Sequence, residues 1–156
     1  MLILCLGNDI LHDDGVGWAV ADALEGRVPP GVTIRRSALS GFYLLDELTG
    51  WDSAIVVDAV HTGAHPPGTV LSFPFEALGT DAGPSPHAVG LPTVVALGRR
   101  SGVQLPGAIH IVAIEVDDMA SFREGLTPAV RAAVPKAVNA IRSVMDRASA
   151  PVGATV

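Results

Sequence analysis

Three stretches of the chain are apolar over strand length and end at polar residues or chain breakers. They are residues 2–6 (LILCL), 54–57 (AIVV) and 108–114, the last interrupted only by His110. Runs of this length without alternation predict strands buried on both faces. Between them the apolar spacing changes. Val16, Ala19, Val20, Ala23 and Leu24 recur at helical intervals, predicting a helix over 14–27 that stops at Pro29-Pro30-Gly31. Residues 32–36 read as a short strand, and 42–48 as a second helix closed by Gly50. Residues 69–73 read as an edge strand ended by Pro74, because proline cannot donate to a sheet ladder. A helix over 88–100 carries Pro92 in its first turn, where proline is tolerated best. The last helix opens at Thr127-Pro128, a good cap followed by proline at the favoured first position, and runs to 148. Pro135 should kink this helix or mark a late start, and residues 149–156 should form a frayed tail.

Strands alternating with helices imply a three-layer α/β fold: one doubly wound domain over 1–148 with a mostly parallel sheet of about five strands. Strand 1 is expected in the centre, with strands 2 and 3 on either side.

Composition narrows the function. About half the 156 residues are apolar (49%) and 17% are charged, as in a globular chain with a sizeable core. A net charge of −6 disfavours nucleic-acid binding, which relies on basic patches. No apolar run reaches membrane-spanning length, and the start lacks a signal-peptide pattern, so the expected compartment is the cytoplasm. The single cysteine excludes an internal disulfide, and its place within the first apolar run predicts a core residue rather than a nucleophile.

Candidate chemistry gathers where strands end. Asp13 and Asp14 follow strand 1, Asp58 ends the run 54–57, and His87 follows the Gly/Pro-rich stretch GTDAGPSP. Open α/β sheets bind ligands at the carboxyl ends of their strands, beside a switch in chain direction. Two carboxylates and an imidazole there could hold a divalent cation with positions left for water or substrate. The competing reading of the paired acids is ordinary helix capping. Gly15-Val16-Gly17 does not complete a dinucleotide fingerprint, since Val20 stands at its final small position and the acids would repel phosphate. Of the other histidines, His12, His61 and His65 are expected at the surface and His110 in the core or at a sheet edge.

The runs GNDILHDDGVG, VVDAVHTGAHPPGTV and SPHAVGL, with the closing GLTPAV, resemble the maturation proteases of nickel–iron hydrogenases. The resemblance spans nearly the whole chain in the same order. It departs at SALSG (37–41), where relatives often carry an acid and then GTxG; there it keeps Gly41 and the preceding hydroxyl. It implies an endopeptidase that removes a C-terminal peptide from the hydrogenase large-subunit precursor after nickel insertion. It further implies that Asp14, Asp58 and His87 bind the metal and serve catalysis. Nickel carried by the precursor would be the recognition signal, bound only weakly by the free enzyme, which is expected to be a monomer. No Ser-His-Asp or HExxH motif is present, so either a metal polarises the scissile carbonyl or Asp14 or Asp58 acts as general base. The alternatives are a non-catalytic nickel-dependent checkpoint or chaperone and an unrelated hydrolase of the same architecture.

Overall fold

A computed structural model describes residues 1–78 and 90–149. Its five-stranded sheet has the order β2-β1-β3-β5-β4, with β1 Leu2–Leu6, β2 Thr33–Ser37, β3 Ser53–Val60, β4 Val70–Pro74 and β5 Ala108–Glu115. All pairings are parallel except that of edge strand β4 with β5. β1 therefore lies between β2 and β3, as the chain order suggested, although the middle strand of the five is β3.

Helices cover both faces. Ile3 and Cys5 of β1, with Ile55, Val57 and Ala59 of β3, pack against α1 (Val16–Leu24) and α4 (Pro128–Ser149). Leu2, Leu4 and Leu6, with Ala54, Val56 and Val60, pack against α2 (Leu44–Leu48) and α3 (Leu91–Arg100). Side chains alternate across a strand, so an unbroken apolar run supplies both layers at once.

Several boundaries differ from the sequence-based expectation. The acids do not open α1; they lie in a preceding 3-10 turn, His12–Gly15, and neither this turn nor α1 has a side-chain cap. α1 ends at Leu24 because Glu25 is extended (ψ 131°). β3 does not end at Asp58. Its ladder with β5 continues through Asp58↔Ala113 to Val60↔Glu115, so the longer partner holds the strand two residues further. α4 runs unbroken across Pro135, which excludes a late start.

Two glycines bring the first loop down onto the sheet. A Cβ on Gly17 would overlap the Leu6 carbonyl oxygen, and one on Gly7 (φ 144°) would overlap the Asp14 carbonyl oxygen. Only glycine permits both the approach and, at Gly7, the backbone angle. The turn carrying Asp14 thus rests on the carboxyl end of β1.

Candidate active site

Asp14 and Asp58 reach the same end of the sheet by different routes. Asp14 is carried by the short turn above β1 and is fully buried. Asp58 lies in β3, one residue past the last β1–β3 pair, Cys5↔Val57, which sets it level with the end of β1. It is 1% exposed. The turn His12–Gly15 packs against β3, so these two acids, 44 residues apart in sequence, belong to one neighbourhood. Buried carboxylates need compensating partners, because desolvation penalises an isolated charge heavily. Two of them beside a strand crossover form an acidic centre that suits a cation or an activated water.

His87 lies outside the described residues, and among those described no group of three His, Cys, Asp or Glu side chains is placed to hold a metal ion. From Gly90 onward the chain has a defined position. α3 begins at Leu91 and packs on the sheet face to which Asp58 belongs by alternation with Val56 and Val60. Beyond its far end, Gln104 and Gly107 bond to Gly50 and Asp52, next to the amino end of β3. A ten-residue helix is about 15 Å long, so the start of α3 lies toward the carboxyl edge.

Two buried acids beside this centre have structural partners. Asp13 Oδ1 accepts the Thr127 N–H at 2.7 Å and Oδ2 the Thr127 hydroxyl at 3.0 Å. Glu115, at the end of β5, accepts the N–H groups of Thr62 (2.7 Å) and Gly63 (2.9 Å) and the Thr62 hydroxyl (2.6 Å). It fixes the loop that leaves β3 two residues after Asp58. The sequence signal for Glu115 was available: it is a third acid at the end of a buried strand. The partner of Asp13 had none, since Thr127 lies 114 residues away.

His12 corrects the expectation of a surface residue. It is 8% exposed, adopts φ 49°, and donates from Nδ1 to the Gly125 carbonyl at 2.8 Å. A left-handed non-glycine residue is uncommon and here is held by long-range contacts that local pattern does not encode. His61 and His65 are exposed, and His61 Nδ1 bonds to the Val116 carbonyl. His110 is half-buried against Ser72 Oγ of edge strand β4, and burial, followed by the nearby Arg147 charge, lowers its pKa.

The family profile described as hydrogenase maturation protease matches residues 19–144. The hydrogenase 2 maturation protease of Escherichia coli K12 is 30% identical over 150 residues, covering 93% of this chain and 90% of its own length. HoxM, a hydrogenase expression/formation protein of Azotobacter vinelandii, is 29% identical over 143 residues, covering 88% of this chain and 68% of the relative. Among solved structures, the E. coli hydrogenase maturating endopeptidase HybD superposes with a TM-score of 0.78 at 27% identity, over 95% of this chain and 93% of that one. The HybD protease of Thermococcus kodakarensis gives 0.69 at 27% identity, over 92% and 97%. With the profile spanning most of the chain and the fold shared from end to end, the chain belongs to the hydrogenase maturation protease family and is a peptidase.

Proposed function

We propose that this protein removes a C-terminal peptide from the precursor of a nickel–iron hydrogenase large subunit after nickel insertion, acting as a monomer in the cytoplasm. The observation that carries the proposal is the gathering of two buried carboxylates, Asp14 and Asp58, at one end of β1 and β3 in a chain of this family. In this reading Asp14, Asp58 and His87 form the site, with His87 arriving from the segment that leads into α3. Nickel is part of the substrate, presented by the precursor. Two carboxylates and one imidazole are hard-to-borderline donors, suited to binding a divalent cation but weaker toward it than a thiolate set. The free enzyme therefore binds nickel weakly, and the site closes over metal that the precursor already holds. The same carboxylates can accept a proton from the attacking water once the scissile bond is beside them.

The surface around this edge suits a protein substrate. Ile10 follows β1, Leu39, Phe42 and Tyr43 follow β2, and Phe122 follows β5; all five are exposed, Phe122 at 83%. Large apolar side chains left in water around a polar centre mark a contact surface for another macromolecule.

Incubating the protein with nickel-loaded and nickel-free precursor and weighing each by intact-mass spectrometry tests the reading. The loaded form should lose a C-terminal fragment and the nickel-free form should not. An unchanged mass for a precursor that nonetheless binds would identify a checkpoint rather than a protease. Equal cleavage of both forms would remove nickel recognition.

A further inference from the structure

The GLTP segment, residues 125–128, leads into α4, yet none of the chemistry above uses it. In the structure it fastens the segment after β5 to the loop after β1. The Arg123 N–H donates to the Ile10 carbonyl (3.1 Å) and the His12 N–H to the Arg123 carbonyl (2.8 Å). The His12 ring donates from Nδ1 to the Gly125 carbonyl (2.8 Å). Thr127 then donates its N–H and its hydroxyl to the two oxygens of Asp13 (2.7 and 3.0 Å). Asp13 is fully buried, and Thr127 immediately precedes the 22-residue helix α4, whose N-terminal dipole favours a carboxylate there. Both residues before Asp14 are therefore pinned to one segment, while Gly7 and Gly17 hold the turn against β1 from below.

We infer that Asp13 and Thr127 are a positioning pair: their doubly hydrogen-bonded contact sets the place of Asp14 relative to Asp58. The inference rests on the proposed role of Asp14 and adds a role for a neighbour that touches no substrate. Bidentate acceptance by a buried carboxylate fixes direction as well as distance. A small displacement of a reacting group can cost a large factor in rate without touching the chemistry itself. Of the adjacent acids in HDDG, Asp13 is thus turned toward the scaffold, and the proposed chemistry belongs to Asp14.

Thr127→Val keeps the backbone N–H donor and the side-chain shape but removes the hydroxyl bond to Asp13. Amide hydrogen exchange on the full-length protein should then quicken about tenfold or more over residues 12–16, while β3 amides keep wild-type protection. Thr127→Ser should restore protection. A purely structural role would speed exchange across the whole sheet, and that result would overturn the inference, as would unchanged exchange at 12–16. In precursor cleavage, Thr127→Val should lower kcat about tenfold with KM unchanged, and Thr127→Ser should recover it. Wild-type kcat in a variant whose turn has loosened would also overturn it. If wild-type protein cuts no precursor, the proposed function fails, and the exchange result still decides whether this pair sets the turn.

Discussion

Cys5 lies in the middle of β1, facing the α1/α4 layer, and burial pushes its thiol pKa up to about 12, with Arg36 lowering it and Asp22 raising it by lesser amounts. A buried thiol that keeps its proton at neutral pH is neither a nucleophile nor a metal ligand. Iodoacetamide at pH 7.5 should accordingly label the chain only as fast as it unfolds, and rapid labelling of the native protein would contradict this assignment. The sign of the pH effect follows from the same shift. The unfolded thiol ionises near its ordinary value of 9.0 while the folded one stays protonated, so its contribution to stability is complete below pH 9 and is lost as pH rises toward 12. Cys5→Ala should cost about 1 kcal/mol at neutral pH through lost packing, and its deficit relative to wild type should shrink above pH 9 in urea titrations. Cys5 was readable as core because every neighbour in its run is apolar. His12 was not: its burial comes from Gly125, more than a hundred residues away, and no local pattern records that contact.

α1 meets β1 through Gly17, and this contact fixes how closely the first helix and its preceding turn sit over the sheet. Gly17→Ala would ordinarily favour a helix by about 1 kcal/mol. Here the added methyl overlaps the Leu6 carbonyl oxygen, backbone that cannot step aside. The substitution should destabilise the fold by about 1–3 kcal/mol, measured by urea unfolding, and a gain in stability would show that the helix can lift freely. The order of elements was legible in the sequence because each buried strand is a continuous apolar run and each helix carries its own spacing and punctuation. Edges were less so. The run 54–57 stops being apolar at Asp58, yet β3 continues because β5 offers three more paired residues, from Ala113 to Glu115. The acids of HDDG looked like the first turn of a helix, but contact with Thr127 and β1 draws them into a separate turn. A strand's length and a turn's type both depended on partners distant in the chain.

As a whole, the molecule places its rigid parts and its chemistry on opposite footings. The parallel strands β1, β3 and β5 and their two covering layers form the core, while Asp14 and the exposed Ile10 follow the end of β1, Glu115 and the exposed Phe122 end and follow β5, and the exposed Phe42 follows β2. Membership of the hydrogenase maturation protease family makes the chain a peptidase, and the proposed site, with the buried Asp14 and Asp58, lies at this edge. Among the described residues no helix is long and apolar enough to cross a membrane. Asp58 carries the largest share of the proposed chemistry. Asp58→Asn preserves shape and removes the charge that would bind the cation and accept a proton. The decisive measurement is the rate at which nickel-loaded precursor loses its C-terminal peptide to wild-type protein and to Asp58→Asn, at matched concentration and after circular dichroism shows both folded. Wild type should release the peptide, and the variant should do so at a rate at least about 100-fold lower; cleavage by Asp58→Asn at the wild-type rate would contradict a role for this carboxylate.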